Sequence, residues 1–541
     1  MRHVAGVYIR SNMASNSTSY GYSKEFYYQL LLVVLSMLSF RLAISMWGHS
    51  GERKPPMHGD FEAQRHWMEL TSNLPAKQWY VHGPDNDLQY WGLDYPPLTA
   101  YHMMIAGKIA KKYNPEMVEL GKSHGIETPE VKLFMRLTVL LMDLIIFLPA
   151  VVAYFVFGQE RRIDEVQVLT SVMVLAAYPG LALIDNGHFQ YNNVSLGLMV
   201  MATLALTLTY DILGAILFCL ALNYKQMELY HALPFFAYLL GRCVKLGLPK
   251  GLYKLSALGF VVIATFALIW SPFLTSVESA MAVLQRLFPF NRGLYEDKVA
   301  NFWCSVSPFI KFKDIIDPQQ MAKICMLVTS LFVLPSFIDL LRKPSITKFH
   351  FASINSSLIF FMFSFHVHEK SILIAAIPAC LVIGKTPFAV IWFLMISVFS
   401  MVPLLMKDGL LIPTFVAVCI FWMGSNHFIK PTQNQRPEVV YALQLSFLGA
   451  VCLTLATIFM PPPQRFPDIF QLLIAIYSFA HFFMFTIYFH IKQIGGAYEA
   501  SVWKLLSGFK PSRAHKTSGD KASTVSVDSS TSSVRELRRR K

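Results

Sequence analysis

Apolar residues recur in runs of roughly 20 along most of this chain, with short polar turns between them. Runs near 26–46, 133–157, 166–183, 194–210, 211–223, 229–241 and 253–274 fill its first half. Others near 320–341, 354–365, 371–384, 386–405, 409–424, 440–460 and 467–490 fill the second. The pattern predicts about fourteen membrane spans. Several runs are short for a crossing and are expected to be tilted, broken or buried against other helices.

One stretch breaks the pattern. His58–Tyr101 (HGDFEAQRHWMEL…WYVHGPDNDLQYWGLDYPPLTAY) crowds carboxylates, histidines and tryptophans into a polar insert after the first apolar run. Residues 47–132 are therefore read as a large extramembrane loop carrying short amphipathic helices. The fold class is an all-α polytopic membrane protein, and a polar insert this dense is expected to bind a ligand or do chemistry.

Composition agrees. The chain has 541 residues, 54% of them hydrophobic and 15% charged, with a mean hydropathy of +0.44. A soluble protein of this length would carry far more charge. The net charge of +14 lies largely in short loops and the C-terminal tail, where basic residues orient spans, so it does not point to nucleic acid. Seven scattered cysteines form no CxxC or His/Cys cluster, which predicts neither a disulfide framework nor a zinc site.

With the N-terminus in the cytosol, the cytosolic loops hold Arg161/Arg162, Arg242/Lys245/Lys250/Lys254, Arg342/Lys343/Lys348 and Lys430/Arg436, as the positive-inside rule requires. The segments rich in chemistry then fall on the opposite face. They are His58–Tyr101, DNGHFQYNN (Asp185–Asn193), Asn223–Glu228, Phe290–Trp303 and FHVHEK (Phe365–Lys370). The chain divides into a cytosolic segment (1–25), a membrane domain (26–490) and a basic, largely disordered cytosolic tail (491–541) rich in Ser and Thr.

Each candidate residue has a structural and a functional reading. Asp60 opens a helical pattern, where it can be an N-cap or a general base. Glu62 and Glu69 are expected to solvate that helix, with Glu62 reaching His66 at i,i+4. Asp94, before Tyr95-Pro96-Pro97, is a turn residue or a substrate hydrogen bond. Trp67, with Trp79 and Trp91, belongs to an interfacial aromatic belt or stacks on sugar. His188 and Gln190 sit in an amide-rich turn that suits polyol hydrogen bonding, or simply caps helices. Lys225, Arg292, His366, His368 and Lys370 form a basic set at helix ends that suits a lipid-linked phosphate; any one alone could be a headgroup contact. Glu296 and Asp297 would partly pair with these cations. The loop lacks a DxD-type pair near Asp60, so the expected chemistry is metal-independent.

Six segments, HGDFEAQRHWMEL, WGLDYPPLTAY, GHFQYN, YKQMELYHALPFF, FPFNRGLYEDKVANFWC and HEKSIL, resemble in order and spacing the endoplasmic-reticulum glucosyltransferases that use dolichyl-phosphate glucose. These belong to the GT-C superfamily, and the resemblance covers roughly 26–490. It implies a dolichyl-phosphate glucose donor and a dolichyl-diphosphate-linked Man9GlcNAc2 acceptor, α-1,3 linkage, inversion by single displacement, and an active site facing the lumen. It also implies Asp60 as base, phosphate contacts on His368 and Arg292 with Lys225 and Lys370 beside them, and Glu296 and Asp297 on glucose hydroxyls or positioning Arg292. One position departs: the family pattern leads one to expect Gln where this chain has His366. A sister activity that adds the second glucose, and a multi-span transporter, are the competing readings. The missing internal repeat and the one-sided polar groups weigh against the transporter.

Overall fold

The computed structural model describes residues 21–158, 164–288, 298–429 and 437–495. Arg292, Glu296, Asp297, most of the N-terminal segment and the tail beyond Gly495 lie outside the described residues. What is described is helical; its one β-bridge joins Gly83 to Asn86. All fourteen apolar runs are wound as helix. Leaving out short turns, the helices are α1 (Lys24–Ser45), α2 (Asp60–Asn73), α3 (Pro97–Tyr113), α4 (Pro129–Phe157), α5 (Glu165–Phe189), α6 (Asn192–Thr207), α7 (Asp211–Tyr224) and α8 (Leu229–Lys245). They continue as α9 (Lys250–Phe273), α10 (Val277–Leu287), α11 (Pro318–Arg342), α12 (Ile346–Phe363), α13 (Leu373–Leu381), α14 (Pro387–Ser400), α15 (Leu411–Ile429), α16 (Pro437–Phe459) and α17 (Ile469–Ile494).

Among the described residues, α1, α4, α5, α9, α11, α16 and α17 are long and apolar enough to cross a membrane. Four shorter apolar helices, α6, α7, α14 and α15, accompany them. The split has a packing logic. The apolar window of α5 is 83% buried and that of α9 only 11%, so α5 is cased in protein while α9 presents bare side chains of the kind a bilayer covers.

Two buried arginines of the membrane domain find counter-charge or carbonyl partners, as burial demands. Arg41 on α1 meets Asp143 on α4 at 3.1 Å and donates to the Ala176 carbonyl of α5 at 3.0 Å. Arg136 on α4 donates to the carbonyls of Asn186 (2.6 Å) and Gly48 (2.9 Å). That guanidinium fastens the start of the polar loop and the end of α5 to one helix.

The loop has its own core. Helices α2 and α3 pack closely, and a Cβ on Gly107 would lie 2.4 Å from the Met68 carbonyl oxygen. Phe61, Trp67, Met68, Trp79, Tyr80, Leu93 and Met103 fill the space around them. Trp67 and Trp79 are buried with their indole N–H groups bound to the carbonyls of Trp91 (2.8 Å) and Leu74 (2.9 Å). They fill the loop's interior, whereas an interfacial belt would leave them at the surface.

The expectation for Glu62 and Glu69 is overturned. Both are buried, at 2% and 0% exposure. Arg65 binds Glu62 through Nε and Nη2 (both 2.7 Å), Glu69 through Nη2 (2.8 Å) and Ser123 through Nη1 (2.7 Å). Glu62 therefore pairs with Arg65 at i,i+3, and His66 turns to Glu69 at 3.1 Å. Counting polar residues along the helix missed this because the 112–128 segment folds back over it. Burial alone would push the Glu69 carboxyl up; His66 and Arg65 outweigh it and hold the group at about 2. Replacing Arg65 with Gln would leave buried Glu62 without its cation and Glu69 with histidine partners alone; breaking such a buried pair typically costs about 3–5 kcal/mol. Thermal unfolding of the purified variant should shift well below wild type, with earlier proteolysis inside 47–132; unchanged melting would show the cluster to be solvated.

Candidate active site

Five segments remote in sequence deliver side chains to one place. The start of α2 supplies Asp60. The last turn of α5 and the link after it supply His188, Gln190 and Asn192. The α7–α8 turn supplies Lys225, the turn before α13 supplies Lys370, and the turn before α15 supplies Asp408.

Asp60 is the centre. The cap position of its helix is taken by Gly59 and the Asp60 amide donates to Ser50 Oγ at 3.2 Å, so the Asp60 carboxylate is not the cap. Its Oδ2 receives three donors: His188 Nε2 at 2.9 Å, Gln190 Nε2 at 2.5 Å and the Lys370 ammonium. Among the described residues its Oδ1 receives none, and the side chain keeps 23% exposure. One carboxylate oxygen is thus saturated and the other is open. Burial alone would raise the Asp60 pKa, but Lys370 and His188 outweigh it and hold the carboxyl well below the usual range. Burial would lower Lys370, and Asp60 overrides that to raise it. Both groups are therefore charged at neutral pH.

His188 is held from two sides. Its Nδ1 lies 2.5 Å from an oxygen of Asp408, which is itself 3% exposed. With a carboxylate oxygen at each ring nitrogen, the ring serves both only when each nitrogen carries a proton. Lys370 Nζ lies 3.2 Å from Nε2, so two carboxylates face an ammonium and an imidazolium in nearly balanced charge.

The backbone that aims His188 is irregular for a reason. Leu183–Phe189 winds as a wide π-type turn, which rotates the helix end. Phe189 then adopts φ +92°, an uncommon conformation for a bulky residue. That reversal lets His188 and Gln190, on either side of it, both reach Asp60. Gly187 permits close packing, since a Cβ there would lie 3.0 Å from Leu410 beside Asp408. Asp185 locks the following residues by accepting from Asn192 Nδ2 and the Asn193 amide, each at 2.7 Å.

Lys225 extends the cluster. It donates to Gln190 Oε1 (3.0 Å) and Asn192 Oδ1 (2.5 Å) and lies 5.1 Å over the Tyr95 ring. Burial, with the like charge of Lys370, pushes its ammonium down to about 8. Tyr95 hydroxyl contacts Gln190 Oε1 at 3.2 Å.

Of the residues singled out in the sequence, Asp60, His188, Gln190, Lys225 and Lys370 meet here. Asp94 stands at the edge, its carbonyl accepting from Gln226 Nε2 at 3.0 Å. Trp67 lies behind Tyr95, ring centroids 4.9 Å apart. His368 is exposed two residues before Lys370, and His366 holds φ +57° with its ring stacked on Phe365. Arg292, Glu296 and Asp297 are outside the described residues. Sequence reasoning passed over Asp408. The available signal was slight: Lys407-Asp408-Gly409 is a polar break that alternation of spans assigns to the same face as His188.

Fold and site together define a multi-span membrane protein whose polar groups converge on a single carboxylate at the ends of its helices. The profile of the ALG6, ALG8 glycosyltransferase family matches residues 31–488, and the chain belongs to that family. It is similar to the dolichyl pyrophosphate Man9GlcNAc2 alpha-1,3-glucosyltransferase of Gallus gallus, 46% identical over 489 residues that cover 85% of this chain and 96% of the relative. The Mus musculus protein of the same name is 46% identical over 487 residues, 85% of this chain and 96% of its own length. A probable Arabidopsis thaliana counterpart is 41% identical over 499 residues, 90% of this chain and 92% of its length. The chain is a membrane glycosyltransferase.

Asp408 touches His188 and also adds its charge to the field on Lys370. Asp408→Asn removes a charge-assisted hydrogen bond, typically about 1.5–3 kcal/mol, or roughly 10–100-fold in turnover. The expected result is a fall in kcat with donor and acceptor KM near wild type, partly restored by Asp408→Glu. A change confined to KM would mean that Asp408 lines a substrate site instead.

Proposed function

We propose that the chain transfers glucose from dolichyl-phosphate glucose to Man9GlcNAc2-PP-dolichol in α-1,3 linkage, without a metal ion. The transfer takes place in the endoplasmic-reticulum membrane, with the site facing the lumen and both termini in the cytosol. The observation that carries the reading is the Asp60 carboxylate, with Oδ2 saturated by three donors and Oδ1 open. The relatives' names supply the acceptor and linkage. The resemblance supplies the donor, and the distribution of lysine and arginine supplies the orientation.

The chemistry follows from stereochemistry. A β-linked glucosyl phosphate giving an α-glucoside inverts at the anomeric carbon, so one displacement suffices and no covalent enzyme intermediate forms. The acceptor mannose hydroxyl loses its proton to Asp60 Oδ1 as its oxygen bonds to the anomeric carbon. The bond from that carbon to the phosphate oxygen breaks, and its electron pair leaves with dolichyl phosphate. A phosphate leaves as an anion, so it needs cations rather than a general acid. Lys370 and Lys225 are the cations the cluster offers, and His368 stands next to Lys370. These cations can neutralise the leaving phosphate in place of a divalent ion, which supports the metal-independent reading.

The low pKa of Asp60 fits a late proton transfer. A glycosyl cation-like centre makes the attacking hydroxyl acidic only as its bond forms, and a carboxylate kept ionised is ready at that moment.

Two outcomes test the reading. Purified protein supplied with dolichyl-phosphate glucose and lipid-linked Man9GlcNAc2 should transfer glucose in EDTA, and Asp60→Asn should be slower by about 10²–10⁴-fold. Equal rates for the two proteins would remove Asp60 from the base role. Activity only on the already glucosylated oligosaccharide would assign the sister step.

The second concerns Lys225. Its ammonium is charged below about 8, so phosphate binding is complete at neutral pH and weakens as pH rises through that value. The donor KM should climb between pH 7 and 9, and Lys225→Arg, charged throughout that range, should flatten the climb. A flat wild-type profile would take Lys225 out of donor binding.

A further inference from the structure

At the ends of α7 and α8 remote from Lys225, the structure has a second polar opening. Asp211 starts α7, Arg242 and Lys245 close α8, and Lys254 lies in the first turns of α9. Helix α7 has 14 residues, so at 1.5 Å per residue about 20 Å separates this opening from the α7–α8 turn that carries Lys225. The cavity measures about 450 Å³, and its polar lining is Arg242, Lys245, Lys254, Tyr238, Thr207 and Thr209.

Its charge is unbalanced. Asp211 is the carboxylate that faces these cations, and it is nearly buried at 4% side-chain exposure. Arg242 meets one of its oxygens at 2.7 Å, Lys254 pairs with the other, and Arg242 also reaches the Tyr238 hydroxyl at 3.4 Å. Lys245 shares no ion pair with either oxygen. Three cations against one carboxylate leave an excess of two positive charges around a cavity lined with hydroxyls, an arrangement that suits a phosphate group.

The surroundings indicate what carries the phosphate. Leu248 (86% exposed), Tyr253 (80%) and Val244 (68%) stand bare beside the opening, next to α9, whose apolar surface is also uncovered. A soluble phosphate gains nothing from such a rim, whereas a lipid buries its acyl chains there.

We propose that this opening is a binding site for the phosphate headgroup of an anionic membrane lipid. On the orientation proposed above it opens to the cytosolic leaflet, where anionic lipids concentrate. The site lies outside the glucosyl-transfer machinery, and its occupancy can be read without measuring transfer.

The test uses the full-length protein in nanodiscs of phosphatidylcholine containing phosphatidylserine, extracted into neutral detergent, with retained lipid counted by native mass spectrometry. Wild type should retain bound phosphatidylserine, and R242Q/K245Q/K254Q should lose at least tenfold of it. Asp211→Asn gives the decisive sign. It releases Arg242 and Lys254 from their internal partner and should raise retention above wild type, whereas an opening that is only structural gives no increase. Equal retention in all three proteins, or a fall in Asp211→Asn at unchanged melting temperature, would overturn the proposal. Inorganic phosphate that displaces the lipid at matched concentration would overturn its lipid character. Failed glucose transfer by wild type with the lipid pattern intact would count against the transfer reading alone.

Discussion

A carboxylate at the edge of a membrane domain is costly unless opposite charge and hydrogen-bond donors arrive with it. Asp60 meets that constraint with donors from two other segments, a third brings Lys225 to Gln190, and a fourth supplies Asp408 behind His188. No two of these segments are adjacent in the chain. Lys370 reaches Asp60 across 310 positions, and Asp408 is 220 positions from His188. The cluster exists only when the helices that carry these turns have packed, so the site depends on the whole membrane domain. Misplacing any one turn would leave a charge uncompensated.

The buried ion pairs elsewhere serve this arrangement. Arg136 ties the Asn186 and Gly48 carbonyls together through one guanidinium, and Arg41 anchors α1 to Asp143 and to α5. Arg65 does the same inside the loop, where it fixes α2 against residues 117–123. Such pairs add little net stability compared with apolar packing. What they add here is direction. Arg41 and Arg65 bind backbone carbonyls as well as carboxylates, and Arg136 binds carbonyls alone, so each fixes the path of a segment that leads into the cluster. The π-type turn at Leu183–Phe189 and the positive φ of Phe189 are strained features of about 1–3 kcal/mol, and a scaffold fixed this firmly can hold them.

Much of this was legible in the sequence, and the limits have physical causes. Apolar runs mark helices well because burial or lipid contact favours the same residues in each, and all fourteen runs are helical. The same ambiguity hides which of them cross: α5 and α9 have similar apolar character but opposite surroundings. Asp60, His188, Gln190, Lys225 and Lys370 stood out because polar residues are rare at the ends of apolar runs. Asp408 did not, because one acidic residue in a three-residue turn looks like any helix stop. Glu62 and Glu69 were misread because periodicity along α2 records a polar face without showing that another segment covers it. Trp67 shows the converse: its chemistry suits a sugar contact, and its place in the fold is set by an N–H that finds the Trp91 carbonyl.

The two oxygens of Asp60 have different surroundings, and this bears on how transfer is timed. While Lys370 pairs with Oδ2, the carboxylate is ionised but weakly basic, since the ammonium stabilises the charge that a proton would remove. In the proposed reaction Lys370 also faces the donor phosphate. A phosphate that draws the ammonium toward itself takes that stabilisation from Asp60, whose proton affinity then rises. Donor binding would in this way strengthen the base that the acceptor needs. His188, held by Asp408 from behind, limits the change, because its remaining contact keeps Oδ2 occupied and Oδ1 aimed outward. The same residues would therefore bind the leaving group, set the strength of the base and keep its open oxygen in place. That overlap explains why the cluster is so densely connected around a single carboxylate.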